Sequence, residues 1–443
     1  MNQIFKRKLY DRLLKWKTER QGRTAILVEG ARRVGKSTIV EQFAQNEYKS
    51  YILIDFNKAP KDTIALFDDL TNLDLLFITL QNTYNVQLFE RGSLIVFDEV
   101  QQCPRARQAI KYLVADGRYD YIETGSLISI RKNTQNITIP SEEERVTLFP
   151  LDHEEFRWAL GDKASIPLLR MSYDKKIPLG IAHRKKMEDF RLYMLVGGMP
   201  QAVNTYLTTK NLREVDDTKR DIIRLYEEDF LKIDKSGKLG RLFMSIPAQL
   251  YRSSGRFVAF NTLGGVSENT LIDLMQALSE SKTTLFCHHC TDPNVGMSLN
   301  KDLSRYKIFM ADTGLFVTLC FWDKDFTENV IYDKLLSDKL DANLGYLYEN
   351  VVAQMLASAG NQLFYYTFPK DEKHNYEIDF LLSRGNKLVP IEVKSSGYKT
   401  HKSLDVFCEK YASRIGERVL LYTKDYQKDG PTQCIPVYFA PFL

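Results

Sequence analysis

The segment GARRVGKS, Gly30–Ser37, constrains the fold of this 443-residue chain more than any other part of the sequence. It fits the spacing G-x-x-x-x-G-K-[ST], follows the apolar run TAILVE and opens the helical pattern KSTIVEQFAQ. A glycine-rich loop between a strand and a helix turns backbone N–H groups inward, and the helix N-terminus adds a dipole that favours anions. The segment therefore predicts a phosphate-binding loop, or P-loop, at the edge of an α/β sheet.

Apolar runs of strand length alternate with helical patterns on both sides of this loop. The expected strands are TAILVEG, YILIDF, SLIVFDEV and YDYIETGS, and the expected helices between them begin at KSTIVEQFAQ, LDLLFITLQNTYN and RARQAIKYLVAD. This alternation predicts a parallel sheet covered on both faces, with phosphate chemistry at the carboxyl ends of the strands. The preceding segment, MNQIFKRKLYDRLLKWK, has apolar residues at helical spacing. It predicts an amphipathic helix packed on this domain, with a membrane-surface helix as the alternative.

The nucleotide contacts expected from the loop follow from its chemistry. Lys36 is expected to span the β- and γ-phosphates, and Ser37 to offer its hydroxyl to Mg²⁺. The predicted nucleotide-binding residues are Gly30, Ala31, Arg32, Arg33, Val34, Gly35, Lys36, Ser37, Thr38 and Asp98.

Two carboxylates follow the buried run Leu94–Phe97. Asp98 suits the coordination sphere of Mg²⁺, and Glu99 can polarise a water for in-line attack on the γ-phosphorus. A glutamate at this point favours hydrolysis by water over a kinase or GTPase arrangement. A transport ATPase is disfavoured because the sequence shows neither a membrane segment nor a transporter signature loop. Thr124, at the end of the next strand, is a candidate sensor of the γ-phosphate, although threonine also simply ends strands. The sequence thus predicts an ATPase with ATP and Mg²⁺ as cofactors and Lys36, Glu99 and Thr124 as catalytic residues.

Composition limits the surroundings of the protein. The net charge of +4, from 61 basic and 57 acidic side chains, does not by itself imply a nucleic-acid partner. Six scattered cysteines are typical of a reduced, intracellular protein, although CHHC at Cys287–Cys290 leaves zinc open beside a strand end or turn. Apolar runs fall short of the roughly 20 residues that a membrane span needs, and a signal peptide is not apparent. We therefore expect a cytoplasmic location and no membrane partner.

The pattern of apolar residues in the sequence changes after residue 149 and again near residue 330. The middle region is mainly helical, and its later part, two helices with a Ser267 cap followed by two short strands, predicts a winged helix. The last hundred residues return to α/β patterns. The predicted domains are therefore 1–149, a P-loop ATPase; 150–330, a helical and winged-helix region; and 331–443, a second α/β domain.

A charged hairpin stands out in the last domain. YEIDFLLS and KLVPIEVKS are expected strands, and a turn at Gly385 places Asp379 opposite Glu392 and Glu377 opposite Lys394. These residues are consistent with cross-strand salt bridges, which are worth little individually, or with a catalytic site.

Several blocks together resemble a known family. VEGARRVGKST, LIVFDEVQQCP, YIETGSLIS and RVTLFPLDHEEF resemble the AAA-type ATPase domain of bacterial and archaeal ATP-binding proteins with a C-terminal domain of unknown function, and GGMPQAV and YKIFMADTGL resemble its later blocks. The family usually has Gly-Arg before the LFPL-like segment where this chain has Glu144-Arg145. The resemblance implies that Arg145 responds to nucleotide. It also makes a homo-oligomer, completed by a neighbour's arginine, an expectation.

The acidic residue followed by E-x-K resembles the PD-(D/E)xK nuclease core, a restriction-endonuclease-like α/β fold, although Tyr-Glu-Ile-Asp replaces Pro-Asp. The resemblance implies that Asp379 and Glu392, with Glu349 from a helix, hold Mg²⁺ while Lys394 acts on the attacking water. Asp379, Glu392 and Lys394 are thus a second candidate catalytic set, with DNA as the candidate partner. Two hypotheses follow: an ATPase that licenses a nuclease, or an ATP-dependent switch whose C-terminal domain binds a partner without cutting it.

Overall fold

The computed structural model describes residues 4–125, 140–251, 257, 263–323, 334–335, 345–395 and 400–443. The chain divides into two units, Met1–Phe149 with Glu280–Lys282, and Pro150–Ser279 with Thr283–Leu443. Each unit has its own sheets. None of the helices within the described ranges has the length and apolar character to cross a membrane.

A five-stranded parallel sheet forms the centre of the first unit. Its strands are β1 Ala25–Glu29, β2 Ser50–Asp55, β3 Ser93–Asp98, β4 Asp120–Gly125 and β5 Glu143–Thr147. They lie in the order β2-β3-β4-β1-β5. The helices are α1 Lys8–Arg20, α2 Lys36–Glu47, α3 Lys61–Ala65, α4 Leu73–Tyr84 and α5 Pro104–Asp116. Because β1, β3 and β4 are adjacent and parallel, their carboxyl ends lie at one edge, as the alternating pattern predicts.

Hydrophobic clusters cover both faces of this sheet. On one face, Leu13 and Trp16 of α1 lie in the same cluster as Ile39 and Phe43 of α2. The N-terminal segment is therefore an amphipathic helix packed on the P-loop unit, which confirms the first of its two interpretations.

The second unit has helices before, between and after its first strands. They are α6 His153–Ala159, α7 Ser165–Lys175, α8 Ile181–Val196, α9 Pro200–Thr209, α10 Leu212–Ile233, α11 Lys238–Met244, α12 Ile246–Tyr251, α13 Glu268–Glu280, α14 Thr313–Cys320, α15 Gly345–Ser358 and α16 Lys402–Lys410. α15 ends in a way that is common for helices, because Gly360 takes a φ of +92° just beyond it.

Two blocks of the second unit meet where their backbones are very close. The carboxylate of Asp312 accepts hydrogen bonds from the N–H of Gly198 at 2.6 Å and of Leu315 at 2.8 Å. A Cβ atom added at Gly314 would lie 2.5 Å from the carbonyl oxygen of Val196. The GGMPQAV and ADTGL segments are thus joined by contacts that require glycine.

Two sheets complete the second unit. The first contains β6 Thr284–Cys290, β7 Lys301–Met310, β8 Phe364–Pro369 and β9 Asn375–Ile378 in the order β7-β6-β8-β9. The second contains β10 Phe380–Arg384, β11 Lys387–Lys394, β12 Arg418–Tyr422, β13 Gln427–Asp429 and β14 Thr432–Pro436 in the order β10-β11-β12-β14-β13.

The expected hairpin is wrong in one respect. The chain from Tyr376 to Ser383 is not one strand, because β9 pairs with β8 while β10 pairs with β11. Glu377 therefore lies opposite Thr367 and not opposite Lys394. Asp379 is the residue at the break.

The segment of the predicted winged helix contains a capped helix and an antiparallel strand pair. The Ser267 hydroxyl accepts a hydrogen bond from the Thr270 N–H at 3.3 Å at the start of α13, and β6 and β7 are antiparallel. However, β6 also pairs in parallel with β8, so both strands belong to a sheet that includes residues beyond 330. Residues 252–256 and 258–262 of this segment lie outside the described residues. The winged helix and the domain limits 1–149, 150–330 and 331–443 stay predictions.

Candidate functional site

The P-loop connects β1 to α2 by a backbone that needs its glycines. Gly35 takes a φ of +97°, and a Cβ atom at Gly30 would lie 2.4 Å from the carbonyl oxygen of Leu148. Arg33 also has a positive φ, 68°, and Val34 is fully buried beneath the loop. The loop is therefore held in one conformation, with its backbone at the N-terminus of α2.

Lys36 lies inside this loop with 6% of its surface exposed. Its Nζ donates hydrogen bonds to the carbonyl oxygens of Gly30 at 3.1 Å and Ala31 at 3.0 Å. Burial lowers the pKa of the Lys36 ammonium, and the nearby charges of Glu99 and Asp98 oppose that shift. The ammonium is thus placed among polar groups that a bound phosphate can replace.

A hydrogen-bonded set joins three strand and helix ends at the edge of the sheet. The hydroxyl of Ser37 donates to Oδ1 of Asp98 at 2.7 Å, and the hydroxyl of Thr124 donates to the same oxygen. Thr124 is fully buried, and its Oγ1 accepts a hydrogen bond from the N–H of Glu99 at 3.3 Å. The residues that the sequence assigns to magnesium and to γ-phosphate sensing therefore lie in contact.

Glu99 follows β3 in a left-handed backbone conformation, with φ 55° and ψ 47°. A left-handed glutamate is strained by roughly 1–3 kcal/mol, so its surroundings must hold it there. The side-chain amide of Gln101 donates to Oε2 of Glu99. Gln101 is a contact that sequence reasoning missed.

Arg7 is a second supporting residue that the sequence did not reveal. Its guanidinium is buried, and it donates to the carbonyl oxygens of Val34 at 3.1 Å and Phe149 at 2.5 Å. In the sequence, Arg7 is a basic residue just before an amphipathic helix, and a residue of that kind is ordinarily solvent-exposed. In the structure, its hydrogen bond to Val34 stabilises the P-loop backbone.

Arg145 lies on β5 and contacts a carboxylate near it. Its Nε lies 2.9 Å from Oε1 of Glu143. The two carboxylate oxygens of Glu143 also accept hydrogen bonds from the buried Arg107, each at 3.0 Å. Burial, and next the charge of Glu143, raise the pKa of Glu123 well above its ordinary value. A response of Arg145 to nucleotide stays a prediction. The buried cluster of Arg107, Glu123 and Glu143 was not predicted. Its sequence signal was the presence of charged residues within otherwise apolar strand and helix patterns.

The C-terminal candidates come from three elements of the second unit. Glu392 and Lys394 of β11 form an ion pair at 2.9 Å. Oδ2 of Asp379 accepts a hydrogen bond from the N–H of Val393 at 2.7 Å, which ties the strand break to β11. Burial, followed by the charge of Glu349 on α15, raises the pKa of Asp379 well above its ordinary value.

An unforeseen lysine from β7 joins these carboxylates. Nζ of Lys307 lies 2.6 Å from Oε1 of Glu377 and 3.4 Å from Oε2 of Glu349, with 5% of its side chain exposed. Burial alone would lower the pKa of Lys307, but Glu377, Glu349 and Asp379 raise it well above its ordinary value. The Lys307 ammonium therefore lies on Glu349, one of the three carboxylates of the predicted metal site, and the assignment of Glu349, Asp379 and Glu392 to Mg²⁺ stays a prediction. Across the described ranges, no group of three or more His, Cys, Asp and Glu side chains is arranged to hold a metal.

The CHHC segment lies within β6, so its strand interpretation agrees with the fold. Cys287 and Cys290 are both buried, and Sγ of Cys290 donates to the carbonyl oxygen of Asp292 at 2.9 Å. Within the described residues, these cysteines do not belong to a group of three or more His, Cys, Asp or Glu side chains that could hold a metal.

Comparison with protein families places an ATPase domain at the start of the chain. Residues 22–157 match the model described as AAA domain. Residues 187–325 match a Domain of unknown function (DUF8612), and residues 344–440 match a Domain of unknown function (DUF4143). No curated protein matches the sequence.

Solved structures similar to this chain include three archaeal proteins. The Walker-type ATPase PABY2304 of Pyrococcus abyssi is 15% identical, with 71% of this chain and 96% of that chain covered at a TM-score of 0.41. The Aeropyrum pernix ORC1 protein, solved in complex with DNA, is 12% identical, with coverages of 74% and 95% and a TM-score of 0.29. The STAND protein PH0952 of Pyrococcus horikoshii, with a tetratricopeptide repeat sensor, is 12% identical, with coverages of 81% and 46% and a TM-score of 0.27.

The family match and the parallel sheet agree. The chain carries an AAA-type P-loop ATPase domain followed by domains of unknown function, in an α/β fold with further sheets toward the C-terminus. Nucleotide is the ligand that such a domain implies.

Proposed function

We propose that this chain is a magnesium-dependent ATPase whose reaction takes place at the carboxyl ends of β1, β3 and β4. The observation that carries the proposal is the contact of Ser37 and Thr124 with one oxygen of Asp98. Lys36 and Glu99 lie at the same edge, and the charges of Glu99 and Asp98 act on Lys36. Phosphate binding, metal binding and water activation are thereby gathered in one place.

The donor set fits magnesium. Ser37 and Asp98 offer a hydroxyl and a carboxylate 2.7 Å apart, and Mg²⁺ prefers oxygen ligands. These two residues would hold the ion, which supplies neutralisation of the phosphate charge when it is bound.

The remaining steps belong to side chains of this chain. The Lys36 ammonium exchanges the carbonyl oxygens of Gly30 and Ala31 for β- and γ-phosphate oxygens. Glu99 polarises the attacking water and takes up its proton. Thr124 keeps Asp98 oriented, and it reports the presence of the γ-phosphate because it also contacts the backbone of Glu99.

Phosphate release from Mg²⁺-ATP and the affinity for a fluorescent ATP analogue test this proposal. We expect Lys36→Ala to weaken nucleotide binding, and Glu99→Gln to bind ATP but lose roughly 10²–10⁴-fold in kcat. Glu41→Gln is the matched control, because Glu41 is an exposed glutamate on α2. The proposal fails if the wild type binds no nucleotide, and the role of Glu99 fails if Glu99→Gln hydrolyses ATP at the wild-type rate.

For the C-terminal region we propose the switch hypothesis, in which ATP changes how this region binds a macromolecular partner. The position of Lys307 between Glu349 and Glu377 favours this hypothesis over cleavage, because the ammonium occupies an oxygen of Glu349, one of the three carboxylates of the predicted metal site. Cleavage of nucleic acid by Asp379, with Glu392 and Lys394, is the competing hypothesis. Incubation of DNA and RNA with Mg²⁺ or Mn²⁺ decides between them, since cleavage that is lost in Asp379→Ala supports a nuclease.

Three further expectations stay predictions. They are DNA binding by the middle region, a cytoplasmic location, and a homo-oligomer in which a neighbour supplies an arginine. Light scattering with and without Mg²⁺-ATP tests the oligomer. A monomer under both conditions would remove the neighbour's arginine from the proposed mechanism.

A further inference from the structure

Lys307 reaches the C-terminal carboxylates from a different part of the sequence. It lies on β7, whereas Glu349 belongs to α15 and Glu377 to β9. Its side chain is 5% exposed, against 25% for Glu349 and 30% for Glu377, so the ammonium is the innermost charge of the three. We call Lys307, Glu349, Glu377 and Asp379 the lysine-centred cluster.

The ammonium is held there by charge. Removing an ammonium from water costs several kcal/mol, and that cost is offset only when carboxylates surround it with good geometry. Contacts of 2.6 and 3.4 Å from Nζ to two carboxylates meet this requirement, and the ring of Tyr365, whose centroid is 5.4 Å from Nζ, closes another side. Lys307 is therefore a fixed part of the folded core, with its positive charge in place.

A divalent ion competes with this arrangement directly. Mg²⁺ takes carboxylate oxygens at about 2.0–2.1 Å in near-octahedral geometry, and it repels a neighbouring ammonium. Glu377 and Glu349 already share the ammonium, and Asp379 directs Oδ2 to the N–H of Val393. The other lysine of the site, Lys394, is paired with Glu392. Entry of a metal between Glu349 and Glu377 thus requires the Lys307 ammonium to leave a buried position.

We propose that the Lys307 ammonium is the built-in cation of this cluster and takes the place of a divalent metal. The folded wild-type chain then binds no Mg²⁺ or Mn²⁺ among Glu349, Glu377 and Asp379. Removal of the ammonium leaves Glu349, Glu377 and Asp379 close together without it and turns the cluster into a divalent-cation site. This inference does not depend on ATP hydrolysis, and it is tested without nucleotide.

The experiment is a titration of the full chain with Mn²⁺, followed by electron paramagnetic resonance of the free ion. All variants carry Asp98→Asn, which removes the P-loop carboxylate from the measurement. Lys307→Met keeps the aliphatic stem without the charge, and Lys394→Met is the matched control on the neighbouring strand. We expect no bound Mn²⁺ in the Asp98→Asn chain or in the Lys394 control. In Lys307→Met we expect one Mn²⁺ site whose affinity is at least about tenfold above the weakest affinity that the titration detects.

Two results would overturn the inference. One is a Mn²⁺ site in the Asp98→Asn chain that disappears when Asp379→Asn is added. The other is a folded Lys307→Met variant, judged by its circular dichroism and melting, that binds no Mn²⁺. If Lys307→Met does not fold, Lys307→Met with Glu377→Gln carries one repelling charge fewer and is used in its place, with the same two outcomes.

Discussion

Glu143 contacts two arginines of very different exposure, and replacing each in turn measures what burial does to an ion pair. Arg107 and Glu143 are each 1% exposed and share two contacts of 3.0 Å. Arg145 contacts the same carboxylate at 2.9 Å but is 44% exposed. The perturbations are Arg107→Met and Arg145→Met, which remove the charge and keep an aliphatic stem.

The expected costs follow from that difference. Removing one partner of a buried pair leaves an uncompensated charge, so we expect Arg107→Met to lower the free energy of unfolding of the first unit by about 3–5 kcal/mol. Arg145 is itself largely solvated and its loss leaves Glu143 paired with Arg107, so Arg145→Met should cost no more than about 1 kcal/mol.

The assay uses tryptophan fluorescence. The chain has three tryptophans; Trp16 is buried in the first unit, and Trp158 and Trp322 belong to the second. With Trp158→Phe and Trp322→Phe as background, urea unfolding followed at Trp16 reports the first unit. The double variant Arg107→Met with Glu143→Gln should recover part of the loss, because it leaves no buried charge behind.

Three results would refute the reasoning. The first is equal costs for Arg107→Met and Arg145→Met, and the second is a cost below about 1 kcal/mol for Arg107→Met. The third is a double variant whose cost is the sum of its single costs, since coupled partners cannot be additive.

Three further predictions concern other contacts. Gln101→Leu removes the amide that holds the Glu99 carboxylate, so kcat for ATP should fall by roughly ten- to a hundredfold with KM nearly unchanged; an equal loss in nucleotide affinity would contradict a positioning role. Gly314→Ala places a Cβ 2.5 Å from a backbone oxygen and should lower the melting temperature sharply, whereas Gly240→Ala, in open space on α11, should be neutral or stabilising by about 0.5–1 kcal/mol. Burial lowers the pKa of Lys219 to about 8, below its unfolded value, so the folded state binds fewer protons than the unfolded one above that pH. Unfolding free energy, measured against Lys219→Met, should therefore rise by up to about 3 kcal/mol between pH 8 and 10.5, and a flat difference would contradict it.

The position of the P-loop, Asp98 and Glu99 at one edge of the sheet could be predicted, because each of these parts has a local sequence signature. Gly30–Ser37 follows an apolar run and opens a helix, and Asp98 and Glu99 end another such run. Parallel strands then bring these ends together without further information. The AAA domain match and the sheet order confirm that part of the interpretation.

The contacts that support this edge could not be predicted, because they depend on distant packing. Arg7 reaches the carbonyl of Phe149, 142 residues away, through a guanidinium that no periodicity distinguishes from a solvated one. Gln101 is close in sequence to Glu99, yet its contact depends on the left-handed backbone of that glutamate.

The C-terminal site shows the same limit. The apolar alternation runs unbroken through Asp379, so nothing local indicates that β9 and β10 pair with different strands. Lys307 precedes Glu377 by 70 residues and belongs to the segment that the sequence predicts as a winged helix. It reaches Glu377 because β6 and β7 lie in one sheet with β8 and β9, a pairing that has no local sequence signature.

The pairing of β6 with β8 has a practical consequence for anyone who isolates the last domain. A fragment cut at residue 331 lacks β6 and β7, so one edge of β8 loses its neighbour, and β8 acquires the open hydrogen-bonding edge that promotes aggregation. The same cut removes Lys307 and leaves its carboxylates to recruit whatever cation the buffer supplies. If Lys307 excludes metal as proposed, metal binding measured on such a fragment would be a property of the cut, so the C-terminal region has to be assayed in the intact chain.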